Sequence, residues 1–230
     1  PYIIAEIGSN HNGNMKICKK MIIEAKKAGS DAVKFQFFSL NNLFSQQYFK
    51  NNKLNKNEII KYSLNEKHLQ FIFSICKRLK IDIGFTPFGS DAVKILKKYN
   101  PTFYKIASMD LVNIPLIEYV AKRQKPIILS TGMSTLSNIE DAVNTILKSG
   151  NPNIILLHCN SSYPAPEEEM NLAAIETLKS TFKVPVGLSD HTFGLFVSHT
   201  AISLGANVIE RHFTLSRSMV GPDHILSSEL

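Results

Sequence analysis

Short runs of apolar residues alternate with longer amphipathic stretches along the whole chain. Eight of these runs are rich in Ile, Val, Leu and Phe and have the length of strands rather than of helices. Together they predict eight strands. The runs begin near Tyr2, Asp31, Ile81, Thr102, Lys125, Pro152, Val184 and Ala206.

The segments between these runs carry apolar residues at helical spacing. Gly29, Gly150 and Gly205 stand where the carboxyl-terminal ends of helices are expected. Strict alternation of strand and helix implies right-handed parallel crossovers. The helices are predicted over Met15–Ala28, Glu66–Lys80, Ser90–Tyr99, Pro115–Arg123, Ser137–Ser149, Leu172–Thr181 and Phe193–Leu204.

Eight strand-helix units in 230 residues predict an α/β protein with a closed (β/α)8 TIM barrel as one domain over residues 1–230. An open doubly wound sheet is the alternative, but the first strand is followed by GSNHNG and not by GxGxxG. Residues 39–63 form an Asn- and Lys-rich insertion after the second strand. Only LSRSMVGPDHILSSEL follows the eighth strand, so we expect the final helix to be absent or truncated.

The composition and charge of the chain argue against a membrane-spanning or nucleic-acid-binding protein. The chain is 44% hydrophobic and 20% charged, and no apolar run reaches membrane-spanning length. Its net charge of +7 comes largely from lysines scattered over predicted helix surfaces, without interleaved aromatic residues. We therefore expect no nucleic acid or membrane partner, and a field that favours a small anionic substrate. Three cysteines without paired spacing predict reduced, buried thiols in a cytoplasmic protein.

Polar residues cluster where the predicted strands end, which is the catalytic face of a TIM barrel. Lys34 and Lys105 lie inside otherwise apolar runs. A buried lysine requires a compensating charge, so each either binds a phosphate or carboxylate or pairs internally with Glu6 or Glu210. Hydroxyl groups of Ser108, Ser130 and Ser189 could complete a ring of phosphate donors. The serines lack a GxSxG elbow, which argues against a serine hydrolase.

His191 and His212 lie near the ends of the last two predicted strands, two residues after Ser189 and Glu210. An extended backbone turns each pair to one side, so the imidazoles of adjacent parallel strands would meet. Two neutral imidazoles make a partial metal site with positions left for water or substrate. The alternative is a pair of hydrogen-bonded core histidines.

Eight segments together resemble the sialic acid synthase family, which includes the neuraminate, legionaminic and pseudaminic acid synthases. The resemblance implies a TIM barrel that condenses phosphoenolpyruvate with an N-acetylhexosamine-type aldose, N-acetylmannosamine or a diacetamido-trideoxyhexose, and releases phosphate by C–O cleavage. It also implies a divalent metal, typically manganese, with magnesium or cobalt as alternatives. The segments are AEIGSNHNGN, VKFQ, TPF, YKIAS, PIILSTGM, LLHCNSSYPAP, GLSDHT, and IERHFT with GPDH.

The resemblance also implies roles for individual residues. The metal would be bound by His191 and His212, with Glu6, Glu210 and His212 beside the reacting atoms. Departures from neuraminate synthases, Ser for Asn at 161 and Asp for Glu at 110, leave the sugar open and favour another bacterial nonulosonic acid. Phosphoenolpyruvate would be bound by Lys34, Lys105, Ser108, Ser130, Ser161 and Ser189, and the sugar by Gln36, Asp110, Tyr163 and Asp223.

Relatives in this family usually form homodimers and carry a small antifreeze-like domain after the barrel. We expect a homodimer here as well, but the family's carboxyl-terminal domain is not expected within these 230 residues. Two alternative functions follow. One is a truncated, non-catalytic barrel that binds a sugar or phosphate. The other is a related 3-deoxy sugar-phosphate synthase, which would need a further basic cluster for the second phosphate.

Overall fold

Eight parallel strands close into one barrel in which each strand pairs with its neighbours in chain order. The computed structural model describes residues 1–43, 47 and 56–229. The predicted TIM barrel is thus confirmed, and β1 closes it by pairing with β8 from Tyr2 opposite Val208 to Glu6 opposite His212. The strands are β1 Tyr2–Glu6, β2 Ala32–Phe37, β3 Asp82–Pro87, β4 Phe103–Ile106, β5 Ile127–Ser130, β6 Ile154–Cys159, β7 Val186–Asp190 and β8 Val208–His212.

Helices follow the strands and cover the outside of the barrel. Every predicted helix is present, with ends that differ from the predicted ends by a few residues. Short 3-10 turns occupy Ser108–Asp110, Glu167–Glu169 and His224–Leu226. The α-helices of the described residues are α1 Met15–Lys27, α2 Leu40–Leu43, α3 Lys56–Lys61, α4 Glu66–Leu79, α5 Ser90–Lys97, α6 Ile114–Ala121, α7 Leu136–Lys148, α8 Ala174–Phe182 and α9 Phe196–Ser203.

The insertion after β2 and the segment after β8 depart from the regular alternation of strand and helix. The predicted insertion over 39–63 contains α2 and α3, while its residues 44–46 and 48–55 lie outside the described part of the chain. After β8, the described residues up to 229 form the 3-10 turn at His224–Leu226 and an isolated bridge between Phe213 and Ser228, without an α-helix.

Local side-chain chemistry explains where several helices begin. The Asn14 side chain accepts hydrogen bonds from the backbone N–H groups of residues 16 and 17 at the start of α1. Asn65 and Thr135 form reciprocal capping boxes with the third residues of α4 and α7. These contacts satisfy N–H groups that a helix leaves unpaired at its amino end.

Side chains alternate between the two sides of each strand, and this alternation creates two apolar regions. Outward residues pack against the helices, whereas inward residues fill the lower part of the barrel. We call the inward set the apolar floor. Gly84 makes room in it, because a methyl group on Gly84 would lie 2.1 Å from the Phe103 ring. The floor consists of Ile4, Ala32, Phe103, Ile128, Leu157 and Val208.

The state of the cysteines and the character of the helices were also predicted from the sequence. Cys18, Cys76 and Cys159 are buried free thiols, as predicted. Among the described residues, we find no helix with both the length and the apolar character that crossing a bilayer requires.

Candidate active site

Polar side chains stand two residues beyond the apolar floor on most strands. Because successive side chains alternate, these residues also point into the barrel, one layer nearer the carboxyl-terminal ends of the strands. All of them are at least 95% buried. The pairs of floor and polar residues are Ile4 and Glu6, Ala32 and Lys34, Phe103 and Lys105, Ile128 and Ser130, and Val208 and Glu210.

Two lysines and two glutamates form a buried charge cluster at this level. Lys34 Nζ lies 2.7 Å from Glu6 Oε2 and 3.9 Å from Glu210 Oε2, and Lys105 Nζ lies 3.2 Å from Glu210 Oε1. Lys34 also donates to Thr86 Oγ1 at 3.0 Å. The internal ion pairs considered from the sequence are therefore present, and they compensate charges that burial would otherwise penalise strongly.

The two glutamates have opposite protonation tendencies. Burial raises the pKa of Glu6 to about 7, against the opposing effect of the Lys34 charge. Burial also acts to raise the pKa of Glu210, but Lys105 and Lys34 outweigh it and lower that pKa to about 2. Glu210 additionally accepts a hydrogen bond from Ser189 at 3.2 Å, which favours its ionised form. Two carboxyl groups whose pKa values are driven apart suit separate acid-base roles.

The charge cluster forms the base of a cavity of about 240 Å³, which we call the inner cavity. All six residues predicted to surround phosphoenolpyruvate line it. The inner cavity is also lined by four residues that were not predicted: Phe88, Ala107, Met109 and Met133. Phe88 and Ala107 stand four residues beyond Gly84 and Phe103, so continuing the inward alternation by one more step would have found them.

His191 and His212 meet at the inner cavity, with ring centroids 5.8 Å apart. Tyr163 lies over them, 4.1 Å from the His191 centroid and 6.2 Å from that of His212. Burial lowers the pKa of both imidazoles, and that of His191 falls to about 4. Both rings are therefore neutral near pH 7.

The ring nitrogens of the two histidines determine whether the pair could hold a metal ion. His191 Nδ1 lies 2.8 Å from the carbonyl oxygen of Asn160, so we assign the proton to Nδ1 and the lone pair to Nε2, which lies 3.4 Å from Ser189 Oγ. His212 Nδ1 is buried and has no hydrogen-bond partner, with Asp223 Oδ2 3.9 Å away. No group of three His, Cys, Asp or Glu side chains suited to a metal occurs among the described residues. The donors thus fit a site with two protein ligands, completed by substrate or water.

A second cavity of about 440 Å³ adjoins the first, and we call it the outer cavity. It shares Gln36, Tyr163 and His212 with the inner cavity. Asp223 lines it and accepts a hydrogen bond from Ser9 Oγ at 2.7 Å. The remaining lining is mainly apolar and aromatic: Phe38, Leu43, Ile59, Tyr62 and Pro222. Three of these residues, Leu43, Ile59 and Tyr62, belong to the insertion after β2.

Asp110 is the predicted site residue that lines neither cavity. It ends the 3-10 turn after β4, and its carboxylate accepts a hydrogen bond from Asn113 Nδ2 at 3.3 Å. Burial raises its pKa, with the Asn113 hydrogen bond acting in the opposite direction. Its contact with the sugar stays a prediction.

Comparison with known proteins identifies related barrels. The model of the NeuB family matches residues 21–230. An uncharacterised protein of Methanocaldococcus jannaschii is 46% identical over 99% of this chain and 66% of its own length. The N,N'-diacetyllegionaminic acid synthase of Campylobacter jejuni is 42% identical over 99% of this chain and 71% of its own length. This chain therefore spans about two thirds of these relatives.

A solved structure of a sialic acid synthase has the same fold as this chain. The crystal structure of N-acetylneuraminic acid synthetase from Leptospira borgpetersenii, in complex with citrate, superposes with a TM-score of 0.92 at 36% identity. The match covers 99% of this chain and 78% of that one. The similarity thus extends over every strand that contributes to the two cavities.

Proposed function

Since this chain belongs to the NeuB family, we propose that it is a nonulosonic acid synthase that condenses phosphoenolpyruvate with an acetamido sugar and releases phosphate. One observation carries the proposal. Two buried lysines and four serines line a cavity that two neutral imidazoles also reach, and this cavity opens beside a larger, mainly apolar one. An anionic reactant and a mostly neutral one can therefore be held side by side.

Phosphoenolpyruvate belongs in the inner cavity. Lys34 and Lys105 supply the cations, and Ser108, Ser130 and Ser161 supply hydroxyl donors. A protonated Glu6 would leave the cluster of two lysines and two glutamates with a net charge of +1. This net positive charge attracts an anion such as phosphoenolpyruvate.

The sugar acceptor belongs in the outer cavity. Phe38, Ile59 and Tyr62 offer apolar surface to the methyl group of an acetamido substituent. The lining described by the structure contains the carboxylate of Asp223 and neither lysine nor arginine. A second phosphate would be repelled there, which favours a neutral sugar over the sugar phosphate of a 3-deoxy sugar-phosphate synthase.

The reaction joins C3 of phosphoenolpyruvate to the aldehyde carbon of the open-chain sugar. Positive charge then develops at C2, next to the ionised Glu210. Glu6, protonated when the reactants bind, donates its proton to the aldehyde oxygen as this bond forms and then accepts the proton of the water that adds at C2. Its pKa of about 7 suits both transfers. The hydroxyl group now on C2 gives its proton to the departing phosphate as the bond from C2 to the bridging oxygen breaks, which expels inorganic phosphate and leaves a 2-keto-3-deoxy acid. A divalent metal, manganese in this proposal, would be held by His191 and His212 and would supply Lewis-acid polarisation of the aldehyde.

An assay of phosphate release tests the proposal. Phosphoenolpyruvate is incubated with N-acetylmannosamine, with a 2,4-diacetamido-trideoxy sugar or with arabinose 5-phosphate, each with and without manganese. We expect manganese-dependent release with at least one acetamido sugar and none with arabinose 5-phosphate. Lys105→Met should abolish release, whereas Lys98→Met, which removes a cation from a largely exposed ion pair with Glu66, should not.

The two alternative functions give other results. Release with arabinose 5-phosphate alone would indicate a 3-deoxy sugar-phosphate synthase. Binding of phosphoenolpyruvate without turnover of any sugar would indicate a non-catalytic binding module.

A further inference from the structure

Asp190 and Arg211 form an ion pair directly behind the two histidines. They are partners in the register between β7 and β8, and each immediately precedes one histidine, Asp190 before His191 and Arg211 before His212. The Asp190 side chain is fully buried and that of Arg211 is 11% exposed. Because side chains alternate, both lie on the outer side of the barrel while the histidines face the cavity.

The guanidinium group of Arg211 joins three segments of the chain. Its Nη1 pairs with Asp190 Oδ2, its Nη2 donates to the carbonyl oxygen of Thr192 at 2.7 Å, and its Nε donates to Ser228 Oγ at 2.8 Å. The residues on either side of His191 are therefore both tied to the residue before His212.

Asp190 is held from its own side as well. Its Oδ1 accepts from the backbone N–H of Thr192 at 2.9 Å and from the Thr192 hydroxyl at 2.7 Å. Ser198, in α9, donates to Oδ2. The carboxylate has little freedom to follow the guanidinium if the two strands move apart.

Burial alone does not require charges at these positions. The preceding outward residues on the same strands, Leu188 and Ile209, are apolar and pack in the core beneath the helices. A buried ion pair contributes little net stability compared with well-packed apolar residues, because both charges lose their hydration. What the pair does provide is directional contacts of fixed geometry between two strands.

We propose that Asp190 and Arg211 are positioning residues that fix the separation of His191 and His212, and that they thereby set the affinity of this chain for a divalent metal. This inference rests on the metal site of the proposed function. Groups that hydrogen-bond directly to metal-binding histidines commonly change metal affinity by about 10- to 100-fold when they are replaced, and Asp190 and Arg211 act on the same ligands through the backbone.

Manganese affinity, followed by electron paramagnetic resonance of free Mn²⁺, tests the inference in the purified chain. Arg211→Met removes every polar contact of the guanidinium and should weaken binding at least about tenfold. Arg211→Lys keeps a cation for Asp190 but cannot reach Asp190, Thr192 and Ser228 together, so we expect an intermediate affinity. Asp190→Asn preserves the side-chain shape and provides the same test if Arg211→Met does not fold.

A matched control separates positioning from stability. Ile117→Ala truncates a fully buried residue of α6 away from both histidines. It should lower the melting temperature without changing the affinity for manganese. His191→Ala should abolish specific binding.

The outcomes distinguish this inference from the proposal on which it rests. Wild-type affinity in Arg211→Met and Asp190→Asn, together with loss of binding in His191→Ala, would overturn the positioning role alone. Equal binding by wild type and His191→Ala, or no binding by either, would overturn the metal site and the positioning role with it.

Discussion

At the scale of single residues, the surroundings of each glutamate determine its chemistry. Glu6 has one close cation, Lys34, and accepts a hydrogen bond from Gln36 at 3.2 Å. Glu210 has a close contact with Lys105, a hydrogen bond from Ser189 and a more distant Lys34. Burial therefore prevails at Glu6 and charge pairing prevails at Glu210. The same residue type can thus hold a proton near neutral pH on one strand and remain ionised on its neighbour.

Replacing Glu6 with glutamine should change how stability depends on pH. The pKa of Glu6 rises from 4.5 to about 7 on folding. Between these values the folded chain keeps a proton that the unfolded chain releases, so this stabilisation is complete below pH 4.5 and is lost as pH rises through 7. The free energy of unfolding of the wild type, minus that of Glu6→Gln, should fall by about 3 kcal/mol across this window.

Urea denaturation of both proteins at a series of pH values measures this difference. Glu118→Gln changes a glutamate that is half exposed and paired with Lys122, and it serves as the control with no comparable slope. A difference that stays constant or increases with pH would show that Glu6 is ionised throughout.

At the scale of secondary-structure elements, the barrel depends on how small and large residues alternate around the apolar floor. Gly84 on β3 faces the Phe103 ring on β4, and these two residues are partners in the strand register. Gly84→Ala should therefore destabilise the fold by about 1–3 kcal/mol through overpacking. Phe103→Leu should relieve much of that loss in the double variant, as a double-mutant cycle of unfolding free energies would measure. Additive effects of the two changes would contradict this packing.

The strands and the helices that follow them could be predicted from apolar periodicity because burial dictates both. Helices α2 and α3 could not, since the insertion that contains them has no clear apolar period. Some features of the site could not be predicted because they depend on contacts between residues far apart in the sequence. Met109 reaches the inner cavity from the 3-10 turn after β4 and Met133 from the loop after β5. The pairing of Asp190 with Arg211 follows from the register of β7 and β8. Lys34, Lys105 and the two histidines were predictable because their polarity conflicts with the apolar runs around them.

At the scale of the whole molecule, the two cavities meet at Gln36, Tyr163 and His212. The strands and the residues that follow them line the inner cavity, whereas the insertion after β2 supplies part of the wall of the outer cavity. Under the proposed function, phosphoenolpyruvate would bind to the rigid strands, and sugar selectivity would depend on a connection that can vary without disturbing them.

Tyr62→Ala tests whether the sugar and phosphoenolpyruvate bind in separate cavities. Tyr62 lines the outer cavity and does not line the inner one. Losing its apolar surface should raise the KM for the acetamido sugar by about 10-fold, which corresponds to roughly 1.4 kcal/mol. The affinity for phosphoenolpyruvate, measured by calorimetry without sugar, should not change. A weaker phosphoenolpyruvate complex with an unchanged KM for the sugar would contradict the assignment of the two cavities.

The fate of one oxygen atom is the strongest test of the proposed condensation with C–O cleavage. Phosphoenolpyruvate labelled with oxygen-18 in the bridging position is converted with the acetamido sugar that the phosphate assay identifies, and both products are examined by mass spectrometry. We expect the label in inorganic phosphate, because the bond between C2 and the bridging oxygen breaks. Label retained in the sugar acid would mean that the P–O bond breaks instead, and would contradict the mechanism.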